Sequence, residues 1–221
     1  MTTLTFYGHA CFSLTNGTAT LLFDPFLTGN PLATAKADEV ECNYILVSHG
    51  HGDHLGDTVA IAKRTGATVI ATAELAGLVG EQNCVNISMH LGGKRTFDFG
   101  YVRLTPAYHG AGVPGGHAAG FIVNFYGKTV YFAGDTALFG DMELLGRLEK
   151  IDYALLPIGD NYTMGPDDAA EAAKMLKPGT VIPMHYNTWP VIEQSPEVFK
   201  AKVEAFHIPV HILTPGQSIT L

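Results

Sequence analysis

The apolar run Tyr44–Val47 leads through Ser48 directly into His49-Gly50-His51-Gly52-Asp53-His54. Three imidazoles and a carboxylate thus fall within six positions, on one turn after a predicted strand. His49 and His51, two apart in an extended segment, project to the same side and can share one metal ion. Asp53 and His54 lie where the chain turns into a helix, displaced by about one metal-to-metal spacing, and the intervening glycines favour a sharp turn. Imidazole and carboxylate donors without thiolates suit Zn²⁺, and also Mn²⁺ or Fe. A merely solvated histidine cluster would not be expected straight after an apolar strand.

One such motif needs further ligands. Three later side chains share its context: His109 ends RLTPAYH, Asp135 follows TVYFAG, and His185 follows TVIPM. Each stands at the C-terminal end of a predicted strand, where α/β folds place their sites. Taken singly, a post-strand histidine reads as a loop residue and Asp135 as a helix N-cap. Taken with the 49–54 run, they read as one ligand set. No GxSxG nucleophile elbow is present, so the chemistry is expected to come from metal-activated water.

These groups must be positioned by a mixed chain. Thr2–Tyr7, Cys11–Leu14, Thr20–Phe23 and Tyr44–Val47 read as strands, followed by a helix over Leu55–Thr65, a strand at Thr68–Ala71, a helix at Ala73–Val79 and short strands near Val85–Ile87 and Lys94–Phe97. The pattern then repeats. Strands are expected at Tyr101–Ala107, Ala118–Asn124, Thr129–Ala133, Tyr153–Pro157, Thr180–Pro183, Val210–Leu213 and Ser218–Leu221. Helices are expected at Leu138–Leu148, Pro166–Leu176 and Pro196–Phe206. Two similar halves meeting near Gly92–Lys94 predict two packed sheets with outer helices, in one domain over residues 1–221. The stretch Gly110–Gly116 reads as a loop able to fold over a cleft.

Composition sets the outer bounds. Of 221 residues, 47% are hydrophobic and 15% charged, which excludes a disordered chain. Thirteen Lys+Arg against twenty-one Asp+Glu give a net charge of −8, which argues against nucleic acid as a partner. No apolar run is long enough to span a bilayer, and the N-terminus lacks the features of a secretory signal. Three cysteines without a CxxC suit a reducing compartment, so a cytoplasmic location is expected. A homo-oligomer is left open.

The stretches GHACF (8–12), FDPFLTGNP (23–31), SHGHGDHLGD (48–57), AGDTALFGDM (133–142), LPIGDNYTMGPDDA (156–169) and PMHYNT (183–188) resemble the metallo-β-lactamase-fold superfamily. More closely, they resemble its UPF0173 family of metal-dependent hydrolases, relatives of the L-ascorbate phosphate lactonases. The resemblance implies an α+β, four-layer αββα sandwich with a dinuclear metal site between the sheets. It implies that His49, His51 and His109 hold one divalent ion, that Asp53, His54 and His185 hold the other, and that Asp135 bridges them. The expected reaction is attack by a bridging hydroxide, with Asp53 as the catalytic proton acceptor.

Around this set, His9 is a candidate for lining the cleft and Asp24 for orienting a ligand imidazole. His117 could contact substrate if the glycine-rich loop closes, and Asn187 could polarise a substrate oxygen. Asp160 and Asn161 are candidate rim residues. His90, His207 and His211 read as structural or surface groups. No Lys or Arg lies in the motif loops, the nearest being Lys36, so the expected substrate is a small, weakly polar ester, lactone or amide. A phosphodiesterase acting on small phosphodiesters or nucleic acid is the alternative enzyme, and a metal-binding module without catalysis is the alternative outside enzymes. A redox di-iron protein would need an electron-carrier domain for which 221 residues leave no room.

Overall fold

The computed structural model describes all 221 residues. Its strands are β1 (Thr3–Gly8), β2 (Cys11–Thr15), β3 (Thr20–Phe23), β4 (Tyr44–Leu46), β5 (Thr68–Thr72), β6 (Asn86–Met89), β7 (Lys94–Phe97), β8 (Gly100–Pro106), β9 (Ala119–Phe125), β10 (Lys128–Phe132), β11 (Tyr153–Pro157), β12 (Thr180–Met184) and β13 (Ser218–Thr220). Its helices are α1 (Gly52–Leu55), α2 (Thr58–Thr65), α3 (Ala73–Glu81), α4 (Met142–Leu148), α5 (Pro166–Leu176) and α6 (Pro196–Glu204).

The strands form two sheets, ordered β13-β1-β2-β3-β4-β5-β6 and β12-β11-β10-β9-β8-β7. Each starts as an antiparallel meander and continues in parallel, from β3 to β6 in one and from β10 to β12 in the other. The division between sheets falls between Met89 and Lys94. One strand breaks the symmetry: β13 returns to the first sheet and pairs with β1, Thr3 opposite Thr220.

Strand periodicity builds the layers. Leu21, Phe23, Leu46 and Ile70 face the second sheet, in one apolar core with Phe121 and Phe132. Their neighbours Leu22, Ile45, Val47, Val69 and Ala71 face the other way, onto Ile61 and Ala62 of α2 and Leu75, Ala76 and Val79 of α3. The second sheet is covered from outside by α4, α5 and α6, whose Met142, Ala173, Leu176 and Phe199 are fully buried. The result is helices, sheet, sheet, helices: the expected αββα sandwich. No helix is long and apolar enough to cross a membrane.

Three elements depart from expectation, each for a physical reason. The helix expected over Leu55–Thr65 is split at Gly56, whose backbone takes φ +40° against Pro25; a Cβ there would stand 2.4 Å from the Pro25 carbonyl oxygen. The helix expected from Leu138 begins only at Met142, because the preceding residues form a tight turn, Met142 N–H to Phe139 and Glu143 N–H to Gly140, and the i to i−4 bonds start with Leu145 N–H to Asp141. Val210–Leu213 forms a single bridge, Val210 to Val181, instead of a strand. The Val181 N–H donates to Pro209 and the His211 N–H to Val181, but the next donor along β12 would be Pro183, which has no N–H.

Candidate metal centre

The parallel strands β4, β10 and β12 end at the same rim, and the segments leaving them carry the chemistry. Beyond β4, pairing continues through the Val47 N–H to Ile70, and the chain then enters His49–His54. His49 is fully buried and His51 half-buried, with His49 Nε2 and His51 Nδ1 2.9 Å apart. The His109 ring lies 5.0 Å from that of His49 and 5.1 Å from that of His51. A second group comprises His9, Asp53, His54 and His185. Asp53 Oδ2 stands 3.6 Å from His54 Nε2 and 3.8 Å from His185 Nε2.

Asp135, buried after β10, lies between the two groups. Its Oδ2 is 3.1 Å from His185 Nε2, 3.2 Å from His54 Nε2, 3.6 Å from His109 Nε2 and 4.0 Å from His49 Nε2. Ligands about 2.1 Å from a shared tetrahedral ion lie about 3.4 Å from one another, so these separations are those of a coordination sphere.

Several of these atoms have no hydrogen-bond partner within the protein. Asp135 Oδ1, His54 Nε2 and both ring nitrogens of His185 are buried without a hydrogen bond. Leaving such atoms bare is costly, and bound ions would satisfy Asp135, His54 Nε2 and His185 Nε2. With all donors imidazole or carboxylate and none thiolate, the residues fit divalent transition-metal ions.

Behind the inner rim, Asp24 accepts three hydrogen bonds: from the Ser48 N–H at 2.7 Å, the Ser48 hydroxyl at 2.5 Å and His54 Nδ1–H at 2.7 Å. The Ser48 hydroxyl proton being committed to Asp24, its oxygen accepts from His49 Nδ1 at 2.9 Å. One buried carboxylate therefore fixes two imidazoles, with both Nε2 atoms aimed into the cluster. His9 is also fully buried; its Nε2 donates to Asp53 at 3.2 Å, and its Nδ1 accepts from the Thr188 hydroxyl at 2.8 Å. His9, Asp24 and His185 all have left-handed backbones, φ +59°, +38° and +56°, so strain concentrates here.

Charge follows this packing. Burial opposes ionisation of Asp135, but the imidazoles of His54 and His185 outweigh it and hold its carboxyl well below the usual range. Burial likewise opposes charge on His54, and Asp135 with Asp24 overcomes it, raising that imidazole. Asp53, despite burial, is held low by His185 and His9. Desolvation lowers His49 to about 2 and His9 to about 4, so both rings are neutral at pH 7.

The glycines of the motif act differently from expectation. Neither Gly50 nor Gly52 has a positive φ. Gly50 instead admits the glycine-rich loop: its N–H donates to the Ala111 carbonyl at 2.8 Å, and a Cβ on Gly112 (φ +68°) would lie 2.4 Å from His51 N. The loop thus packs onto the backbone of the motif.

The cluster opens into a cavity of about 230 Å³ lined by His51, Asp53, His109, Asp135, His185, Tyr162 and Trp189. His117 is not among these residues; it lies beside His90, ring centroids 5.3 Å apart. Asn187 is exposed, and its Oδ1 accepts from the Gln194 N–H. Asp160 and Asn161 turn the chain with positive φ before Tyr162, which reaches the cavity in their place. Lys36 pairs with Glu39 in a separate surface depression. Ser48, Thr188, Tyr162 and Trp189 were not anticipated from sequence. Only Ser48, beside the motif, carried any local signal.

A family model described as a beta-lactamase superfamily domain matches residues 19–186. A UPF0173 metal-dependent hydrolase of Pelotomaculum thermopropionicum is 56% identical, the match covering 99% of each chain. Another, from Symbiobacterium thermophilum, is 54% identical over 98% of each. The chain belongs to the UPF0173 family of metal-dependent hydrolases. Among solved structures, the UPF0173 chain superposes on Igni18, a metallo hydrolase of the archaeon Ignicoccus hospitalis, with a TM-score of 0.94 and 35% identity, covering 100% of this chain and 98% of that one. This UPF0173 protein is therefore a metal-dependent hydrolase with the metallo-β-lactamase fold.

Proposed function

We propose that this hydrolase cleaves a small, weakly polar ester, lactone or amide at a dinuclear centre. His49, His51 and His109 would hold one divalent ion, Asp53, His54 and His185 the other, with Asp135 shared between them. The observation that carries this reading is the position of Asp135 Oδ2 within 4.0 Å of imidazole nitrogens from both groups. Zn²⁺ is the favoured metal, Mn²⁺ and Fe being chemically compatible. When bound, such a pair supplies a bridging hydroxide as nucleophile at neutral pH and Lewis-acid polarisation of the substrate oxygen.

The chain's own residues do the rest. Asp24 and Ser48 orient His54 and His49. Asp53, which borders the cavity, receives a proton at its carboxylate and passes it to the leaving group, while His9 steadies its Oδ2. Trp189 and Tyr162 form an apolar wall for the acyl portion. The cavity is below the usual range for drug-sized ligands, about 300–1,000 Å³, and no Lys or Arg lines it. Both features support an uncharged small substrate over a phosphodiester. The three free, buried cysteines support a cytoplasmic location, and the core shared by both sheets supports a single domain over residues 1–221.

The test is a substrate panel on metal-reconstituted protein: p-nitrophenyl esters, lactones and bis-p-nitrophenyl phosphate under Zn²⁺ and Mn²⁺. Turnover of esters or lactones is expected. Preference for the diester would replace the substrate assignment, and inactivity on every compound would favour a binding module.

A further inference from the structure

A second group of ligand-type side chains lies outside the catalytic cluster. Glu74, His90 and His117 offer one carboxylate oxygen and two ring nitrogens, all within 4.8 Å of one another. Three separate elements bring them together: Glu74 from the first turn of α3, His90 from the end of β6, and His117 from the approach to β9. Sequence alone leaves His90 as incidental, because nothing local pairs it with residues 16 and 27 positions away.

We propose that Glu74, His90 and His117 form a peripheral site for one divalent transition-metal ion, of the Zn²⁺ type, that staples the end of the Gly110–Gly116 loop to the first half of the fold. Two imidazoles and a carboxylate are a recurrent zinc ligand set that leaves a position for water. Glu74 supplies an independent sign: its Oε2 is buried and has no hydrogen-bond partner, a condition that a cation relieves. The two imidazoles are exposed and free to adjust. The His117 backbone is already anchored, its carbonyl accepting from the Thr72 hydroxyl at 3.3 Å. Gly116 passes directly over Glu74, where a Cβ would meet the Glu74 Cβ at 3.5 Å. Coordination does give up one contact, the Leu91 N–H to His90 Nδ1 bond at 2.9 Å, because either ring nitrogen used as a ligand leaves or places a conflict there. The site is accordingly weaker than the buried cluster.

The consequence is structural. The loop leaves the catalytic cluster at His109, is pinned at Ala111 to Gly50, and ends at His117. An ion at His117 would hold its far end to α3 and β6, linking segments of the two sheets.

Equilibrium dialysis against Zn²⁺ tests this on protein whose central cluster is already loaded. The wild type is expected to hold one Zn²⁺ per chain more than Glu74→Gln or His117→Ala. Adding that equivalent should slow hydrogen exchange of residues 110–117 in the wild type and not in either variant. His90→Ala provides a third variant should one of these fold poorly. Equal Zn²⁺ content in the wild type and all folded variants, or equal exchange of the loop with and without the added ion, would overturn the proposal.

Discussion

Asp24 Oδ2 and His54 Nδ1 stand 2.7 Å apart, both residues fully buried. The pair turns His54 Nε2 toward Asp135 and, through Ser48, sets His49 as well. Asp24→Asn should therefore weaken metal binding by about 10–100-fold, the usual cost of losing such an outer partner. Asn tolerates the left-handed backbone that Asp24 occupies, so the fold should survive. Chelator competition with the purified variant measures the loss.

Gly112→Ala should damage the site from outside. The new Cβ would meet the backbone of Gly50 and His51 at 2.4 Å, with φ +68° adding strain. We expect a stability loss of roughly 1–3 kcal/mol and a fall in kcat/KM, read by urea unfolding and by ester hydrolysis.

Trp189→Ala should separate binding from chemistry. Trp189 lines the cavity and packs edge-on to His9, ring centroids 5.0 Å apart, without belonging to the ligand set. KM for an apolar acyl ester should rise about tenfold, with kcat changing much less. A fall in kcat at constant KM would remove Trp189 from substrate contact.

Much of the site was legible because its residues follow strands. The 49–54 run is contiguous, and His109, Asp135 and His185 each sit just past an apolar β segment. Their convergence required the sheets to pack face to face, and the continuous apolar runs at Leu21–Phe23 and Val69–Ala71, buried on both faces, already encoded that. The remainder lay in contacts between distant segments. Trp189 and Tyr162 reach the cavity from loops with no chemical signature, and Thr188 matters only because His9, 179 positions away, turns its Nδ1 toward it. The split helix at Gly56 was hidden for the same reason: the obstacle is Pro25, 31 residues earlier. His117 was expected at the cleft only if the glycine-rich loop closed over it, and Asn187 because it follows His185 by two; the loop carries His117 to His90, and Asn187 is exposed and bonded to Gln194.

Cys42 supplies a pH prediction remote from the metals. Burial pushes its thiol from 9.0 up to about 11. Ionisation is then easier in the unfolded chain, so the associated stability is complete below pH 9 and is lost as pH rises toward 11. At pH 8 the native thiol is neutral and should label slowly, whereas all three cysteines label readily in denaturant. Thiol titration with and without urea checks this.

The proposed centre is a pair of ions sharing Asp135. Elemental analysis of Glu74→Gln protein, which lacks the peripheral ligand, combined with hydrolysis before and after chelation, tests it most directly. Two ions per chain are expected, no more than one after Asp135→Ala, and hydrolysis should be lost on chelation and restored by Zn²⁺. A single ion per chain, or full hydrolysis by the chelated protein, would contradict it.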